Sequence, residues 1–158
     1  MNDSGRPALC AKMMLYLSFA VALIIMPATL AAEPILPNEI EVSDGDTIEA
    51  RGHLFRLIGF DTPEFSSRGR KVSLREKRLA LLAAERLQEI VNAGNLDLQE
   101  VACSCTPSKI ASGKCNYGRK CGVLSSGGKN VGDTLIREGH AREYICAKTR
   151  CPKQEPWE

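Results

Sequence analysis

The chain has 158 residues, 44% of them hydrophobic, so it is long enough for one globular domain with a single core and too short for two. Its formal net charge is +2, and removing the first 31 residues, which carry Arg6, Lys12 and Asp3, leaves 19 basic and 18 acidic residues. This balance excludes nucleic-acid binding through a uniformly basic surface, so any phosphate contact must come from individually placed Lys and Arg side chains.

Residues 1–31 have the pattern of a secretory signal peptide. Two basic residues precede an apolar run from Met13 to Met26, which is short for a membrane span, and small residues follow it. We therefore predict cleavage after Ala31, with Ala32 as the alternative, and an exported mature protein in the periplasm or outside the cell. An uncleaved membrane anchor is the competing interpretation. Residues 32–39 are predicted to form an extended lead-in to a domain that spans residues 40–145.

The stretch from Asp44 to Glu64 is predicted to contain a β-hairpin. With a turn at residues 51–53, Thr47–Ala50 pairs with Leu54–Leu57, and Asp46 lies opposite Ile58 or Gly59. Asp46 and Asp61 then meet at one end of the hairpin. Arg56, expected to pair near Ile48, is long enough to reach the same end. Two carboxylates and a guanidinium at one place are typical of a metal-cation site beside a phosphate site.

A helix is predicted to follow the exposed basic loop at residues 65–71. Ser73 and Glu76 have the spacing of a capping box, and Gly94 is a natural stop. The predicted core face recurs at helical spacing and consists of Ala80, Ala83, Ala84, Leu87, Ile90 and Val91. We interpret this helix as a packing element without a catalytic role.

The second half of the domain is predicted to contain short strands and one more helix. Strands are expected at residues 96–100 and at Val123–Leu124, and Asn130 can cap a helix that carries Val131, Leu135 and Ile136 inward. Residues 140–145 are expected to be a last strand or extended segment. Residues 146–158 are predicted to be a cysteine-containing C-terminal tail that is irregular from Lys148 onward. About five strands and two or three helices indicate an α+β barrel.

Six cysteines remain after the predicted signal peptide, and an even number in an exported domain of this size favours three disulfides among fifteen possible pairings. Zinc is the competing interpretation, but the spacings lack paired C-x2-C knuckles and neither histidine is near them. The disulfide candidates are Cys103, Cys105, Cys115, Cys121, Cys146 and Cys151.

Several motifs in register closely resemble the staphylococcal nuclease (thermonuclease) family from about residue 40 to residue 144. They are Asp44-Gly45-Asp46-Thr47, Phe55-Arg56-Leu57 with Asp61-Thr62-Pro63-Glu64, Tyr117-Gly118-Arg119, and Val131 to Leu135 with Arg137 and Gly139. One acidic DGDT turn would be weak evidence by itself, whereas several motifs in the same order are specific.

The resemblance implies a five-stranded OB-fold barrel with a calcium-dependent phosphodiesterase site. By this resemblance Asp46, Asp61 and the Thr62 carbonyl bind Ca²⁺, and Glu64 acts on the attacking water. Arg56 and Arg119 would bind the scissile phosphate, and Tyr117 would contact a nucleotide. The implied substrate is DNA or RNA, cleaved to 5′-hydroxyl and 3′-phosphate ends. We expect a monomer.

Other interpretations of the same residues remain open at this stage. Asp44 is better explained as a turn former than as a metal ligand. Arg56 would form a structural salt bridge with Glu64 if the site were inactive, and Arg119 would be a surface charge. The chain would then be a non-catalytic OB-fold domain that binds single-stranded nucleic acid, although only 5% of its residues are aromatic.

The chain departs from the family pattern in three places. Asn116 stands where the family often has a basic residue, and the cysteine-bearing loop lengthens the segment between Glu64 and Arg119. The long C-terminal helix of the family is replaced by the segment from Cys146 to Cys151. We predict that the disulfides that flank Arg119 hold it in place and that the crosslinked tail substitutes for the helix.

Overall fold

The computed structural model describes residues 32–67 and 69–157. The predicted signal peptide, residues 1–31, lies outside the described residues. None of the helices in the described part of the chain is long and apolar enough to cross a membrane.

The described residues form an α+β domain, as predicted, in which a curled half-barrel sheet packs on helices. The strands are β1 (Glu33–Ile35), β2 (Ile40–Asp44), β3 (Thr47–Ala50), β4 (His53–Leu57), β5 (Gly59–Asp61), β6 (Leu96–Val101), β7 (Lys120–Ser126), β8 (Lys129–Asn130) and β9 (Arg142–Tyr144). The helices are α1 (Leu74–Ala93), α2 (Pro107–Ala111) and α3 (Val131–Arg137), and residues 37–39 and 115–118 form 3₁₀ turns.

The main sheet has the strand order β1-β6-β7-β4-β3-β2, with β8 added beside β7, and β5 pairs with β9 in a separate two-stranded sheet. The main path thus has six strands, one more than the five expected of the barrel. The additional strand comes from the lead-in, because Glu33 to Ile35 pair with Leu98 to Leu96 at the sheet edge. This arrangement is consistent with an OB-fold-like barrel that is not fully closed.

The hairpin of β3 and β4 forms as predicted, but its register differs by one residue. Arg51 and Gly52 both have positive φ (53° and 73°), so they form a two-residue turn of the I′ kind and His53 already pairs with Ala50. Thr47 therefore lies opposite Arg56, and the Leu57 amide donates to the Asp46 carbonyl. The prediction that Asp46 faces Ile58 or Gly59 was wrong because the turn is one residue shorter than assumed.

Helix α1 begins and ends at the predicted residues. The Ser73 hydroxyl accepts from the Glu76 amide at 3.0 Å, and Gly94 follows the last turn with a φ of 77°. Five of the six predicted core residues are buried, and Ala84 is partly buried. The core between α1 and the sheet includes Ile48, Leu57, Leu87, Val91, Leu124 and Leu135. Burial of such side chains supplies about 1.5–3 kcal/mol each.

Helix α3 is capped as predicted, since the Asn130 side chain accepts from the Gly132 amide at 2.7 Å. The chain then leads to β9, which pairs antiparallel with β5 so that Arg142 lies opposite Asp61. After β9 the described tail contains no helix or strand. The pairing of β5 with β9 thus delivers the tail to the same end of the domain as the hairpin acids.

Candidate active site

The turn between β2 and β3 carries Asp46 into the interior, where it is 4% exposed. A Cβ on Gly45 would lie 2.8 Å from both the Ala83 Cβ and the Thr62 Oγ1, so any larger residue would force the turn, α1 or Thr62 to shift. The Asp46 amide donates to the Asp44 carboxylate at 3.0 Å, which matches the predicted turn-forming role of Asp44. Close packing of the turn on α1 therefore fixes where Asp46 lies.

Asp46 is bound by three donors from three parts of the chain. The Thr47 hydroxyl donates to its Oδ1 at 3.2 Å, and the Thr62 amide donates to its Oδ2 at 3.3 Å. The Arg56 guanidinium forms an ion pair with the same Oδ2. Thr62 is itself only 2% exposed. The two predicted metal ligands Asp46 and Thr62 are thus direct neighbours.

Asp61, at the end of β5, is 1% exposed and has donors on both carboxylate oxygens. Arg56 lies 3.3 Å from its Oδ1, and Arg142 lies 3.0 Å from its Oδ2. The Gln154 side-chain amide also donates to Oδ1, at 2.6 Å. Such charge-assisted bonds balance the cost of burying the carboxylate.

Arg56 joins the two buried aspartates, because its guanidinium pairs with Asp46 and with Asp61 and also donates to the Phe60 carbonyl at 3.3 Å. Burial lowers the pKa of Arg56 from its ordinary value by disfavouring the charged form, while Asp61 opposes this shift. The two aspartates meet as predicted, but the group between them is a guanidinium.

Glu64 lies in the irregular segment after β5 and is partly buried. Its pKa is raised, first because burial disfavours the carboxylate and then because the charge of Asp44 repels it. The Gln154 amide, which donates to Glu64 Oε1 at 3.2 Å, opposes the shift. A carboxylate with a raised pKa at a partly buried position has the chemistry of a general base.

Glu76 supports the backbone of Glu64 from the first turn of α1. Its carboxylate, 1% exposed, accepts from the Glu64 amide at 3.3 Å and from both terminal nitrogens of Arg70 at 2.6 Å. The Arg70 hydrogen bonds hold the pKa of Glu76 below its ordinary value. The predicted capping box is therefore only half formed, since Glu76 turns away from the helix start toward the site.

Arg119 reaches the hairpin from the loop before β7. Its Nη1 donates to the Thr47 hydroxyl at 3.2 Å, while Nε and Nη2 donate to Asn116 at 3.3 and 3.1 Å. Because Thr47 also contacts Asp46, one hydroxyl connects this guanidinium to the acids. Asn116, which departs from the basic residue often found there in the resembled family, thus orients Arg119.

Tyr117 is 76% exposed beside Arg119, whose guanidinium carbon is 6.0 Å from the centre of its ring. Asn116 and Tyr117 have φ angles of 49° and 60°, in the left-handed region that disfavours ordinary side chains. A strained backbone that presents an aromatic ring to solvent beside a guanidinium suits contact with a nucleotide base.

The described residues form three disulfides, so the preference for disulfides over zinc was correct. Cys103–Cys121 and Cys105–Cys115 cross-link the loop that carries Arg119, and Cys146–Cys151 closes a small ring in the tail. Cys121 lies opposite Arg56 in the parallel pairing of β4 and β7. The first bridge thus fixes the start of β7 at the site.

The donor chemistry fits a hard divalent cation, because the buried acids offer carboxylate oxygens and Thr62 lies beside them. Four carboxylates share the site with three guanidiniums, which leaves an excess of one negative charge when all are ionised. These groups are Asp44, Asp46, Asp61, Glu64, Arg56, Arg119 and Arg142. Among the described residues, however, no three His, Cys, Asp or Glu side chains are grouped to hold a metal ion. Waters would complete the shell.

Sequence reasoning missed three residues at the site: Glu76, Arg142 and Gln154. Glu76 was missed because its spacing from Ser73 was already explained by the predicted capping box. Gln154 was missed because it lies in a tail without periodicity. Arg142 becomes visible only through the pairing of β9 with β5. Trp157, whose role had no explanation from sequence, stacks on Arg142 with 4.5 Å between the guanidinium carbon and the ring centre.

The family model described as staphylococcal nuclease homologue matches residues 54–157. The match begins after the DGDT motif and extends into the tail, beyond Tyr144, where the resemblance was expected to end. No curated protein matches the chain. Since the family model covers about two thirds of its length, the chain belongs to the family of staphylococcal nuclease homologues.

Proposed function

We propose that the protein is an exported, calcium-dependent endonuclease that hydrolyses phosphodiester bonds of DNA or RNA and leaves 3′-phosphate ends. Membership of a nuclease family supports the reaction class. The observation that carries the proposal is the convergence of two buried aspartates, two arginines and Glu64 at one end of the hairpin. The three disulfides are compatible with an extracellular protein.

Asp46, Asp61 and the Thr62 carbonyl would hold Ca²⁺, which supplies positive charge to polarise the phosphate and the attacking water. In the structure Arg56 occupies the space between the two aspartates, so its guanidinium would have to turn toward the phosphate when the cation binds. The Ca²⁺ charge would then replace the Arg56 charge beside the aspartates, so the two carboxylates would keep a positive partner when the guanidinium turns away.

Glu64 would take the proton of the attacking water, and its raised pKa favours that proton transfer. Arg56 and Arg119 would donate to the phosphate oxygens as phosphorus gains a fifth oxygen and negative charge increases. Tyr117 would contact the adjacent nucleotide. The Glu64 backbone amide donates to the Glu76 carboxylate, which restrains the segment that carries the proposed base.

Cleavage of plasmid DNA and of RNA, with Ca²⁺ and then with a chelator, tests the proposal. We expect calcium-dependent cleavage that falls by a factor of about a hundred or more in Glu64→Gln and in Arg119→Ala. Glu85→Gln and Arg78→Ala, which alter exposed side chains on α1, are the matched controls and should cleave normally. Binding without cleavage in either condition would favour the non-catalytic OB-fold domain. Size-exclusion chromatography checks the expected monomer.

A further inference from the structure

The C-terminal tail, residues 146–157, crosses the candidate active site and touches both a predicted metal ligand and the predicted base. The Gln154 Nε2 donates to Asp61 Oδ1 at 2.6 Å and to Glu64 Oε1 at 3.2 Å. In the proposed function, the Asp61 carboxylate would bind the divalent cation and the Glu64 carboxylate would bind the attacking water. The contact joins residues about ninety positions apart, so it reflects docking of the tail and not local chain geometry.

The tail is anchored on both sides of Gln154. On one side Cys146–Cys151 closes a ring, and the Tyr144 hydroxyl donates to the Pro152 carbonyl at 2.7 Å. On the other side Arg142 donates to the carbonyls of residues 155 and 156 while its guanidinium lies under the Trp157 ring. Gln154 is therefore held over the acids from both ends.

An amide N–H group and a metal ion cannot use the same carboxylate lone pairs, and the positive end of the N–H dipole repels a cation. Arg142 adds a second obstacle, because it bonds to the other oxygen of Asp61 and at the same time to the tail. The docked tail thus supplies the donors that a cation would replace. The Oδ1 atom of Asp61 already accepts from Gln154 and Arg56, so the docked tail competes with a cation for this carboxylate.

The docked position is held mainly by polar contacts. Residues 151–156 are exposed, and among the described tail residues after Cys151 only Trp157 is partly buried. A segment that buries little apolar surface can leave at a cost set by a few hydrogen bonds, which water replaces. The tail can therefore open without unfolding the barrel.

We propose that the C-terminal tail is an autoinhibitory strap that closes the cation site through Gln154 and must open before the divalent ion and the substrate enter. This inference rests on the proposed function, since it takes Asp61 as a cation ligand. The affinity for the cation is then reduced by the fraction of molecules in which the strap is open. Losing one charge-assisted hydrogen bond corresponds to about a tenfold change in this equilibrium or more.

The chain contains a single tryptophan, and it lies in the strap, so its fluorescence reports opening without any activity assay. Titration of the full-length protein with Ca²⁺ should change the Trp157 emission as it separates from Arg142. Calorimetry of the same titration gives the dissociation constant. We expect Gln154→Ala to bind Ca²⁺ about tenfold more tightly than the wild type, with Lys153→Ala, an exposed neighbour, as the matched control.

A second variant keeps the result independent of the side-chain change at Gln154. The pair Cys146→Ser and Cys151→Ser opens the ring that anchors the strap and should also tighten Ca²⁺ binding. Unchanged or weaker binding in both variants, or an unchanged Trp157 emission while calorimetry detects binding, would overturn the strap. If no variant binds Ca²⁺ and none cleaves nucleic acid, the proposed function fails and the strap with it. If the wild type cleaves nucleic acid but the variants bind Ca²⁺ with the same affinity as the wild type, only the strap fails.

Discussion

Removal of the disulfide between Cys103 and Cys121 should lower both the stability of the fold and the turnover at the site. The double variant Cys103→Ala and Cys121→Ala avoids a polar side chain at Cys121, which is 5% exposed. The bridge closes a segment with a sequence separation of 18 residues. For a loop of that length, the chain-entropy relation gives a stabilisation of about 3 kcal/mol at 25 °C.

For a domain of this size, a loss of about 3 kcal/mol lowers the melting temperature by roughly 10 °C. Turnover should fall as well, because β7 begins one residue after Arg119 and Cys121 lies opposite Arg56. The assay is thermal unfolding by circular dichroism together with cleavage measured well below the melting temperature. The pair Cys146→Ala and Cys151→Ala is the control, with turnover compared at saturating Ca²⁺ so that an opened strap does not alter it. Its bridge has a sequence separation of only five residues and lies outside the Arg119 loop.

The control variant should lose about 2 kcal/mol by the same relation and should keep the geometry of Arg119. Full reduction of the wild type also breaks the other two bridges, so it should lower stability and turnover at least as much as the first variant does. Equal melting temperatures and equal turnover for wild type, variant and reduced protein would refute the idea that the bridge holds the Arg119 loop.

Three further perturbations test the supports of the site. Glu76→Gln weakens the ion pair with Arg70 and the hydrogen bond from the Glu64 amide, so it should lower the free energy of unfolding by about 1–3 kcal/mol. It should also lower kcat more than it raises KM, because Glu64 loses its support. An unchanged kcat in steady-state kinetics would contradict this positioning role. Gly45→Ala should cost about 1–3 kcal/mol in denaturant unfolding because of the 2.8 Å contact with Ala83, whereas Ser43→Ala, an exposed neighbour, should be near neutral. The acid limb of the pH profile of cleavage rate should follow the protonation of Glu64, whose pKa burial raises above its ordinary value of 4.5. If the same limb persists in the residual activity of Glu64→Gln, another group is responsible for it. Burial makes the pKa of Glu64 higher in the folded than in the unfolded chain, so its ionisation lowers the free energy of unfolding as pH rises between these two pKa values. Glu64→Gln should therefore be more stable than the wild type above the folded-state pKa of Glu64, and this gain should be absent below the pKa of the unfolded chain.

The parts of the fold that sequence predicted well depend on local signals. Helix α1 has a serine cap, a regular apolar face and a terminal glycine, and each acts within one or two turns of the chain. The hairpin likewise follows from alternating residues around a turn. Its register was wrong by one residue because Arg51 adopts a positive φ, which is uncommon outside glycine and not visible in the residue pattern.

Features that depend on long-range pairing could not be predicted in the same way. The cysteine count indicated three bridges, but only the fold selects the pairing among the fifteen. The position of Arg142 beside Asp61 requires the β5–β9 pairing, and the position of Gln154 requires a docked tail. The site acids themselves were predictable because Asp46 and Asp61 lie at one end of a single hairpin and its continuation.

The role of Arg56 is where the structure adds most to the sequence. A cation between Asp46 and Asp61 was expected, with Arg56 turned toward the phosphate, whereas the guanidinium lies between the acids. Two buried carboxylates need a positive charge close by, and Arg56 supplies it. Under the proposed function, Arg56 and the divalent ion would alternate as the partner of this acid pair.

The most direct test of this account is a crystal structure of the protein with Ca²⁺ and a nucleotide phosphate. The account predicts a cation bound by Asp46 and Asp61, with Arg56 turned away from them and bonded to a phosphate oxygen. Gln154 should have left Asp61 in the same crystal. A cation at another site, with Arg56 still between the two aspartates and the phosphate unbound by either arginine, would contradict the account.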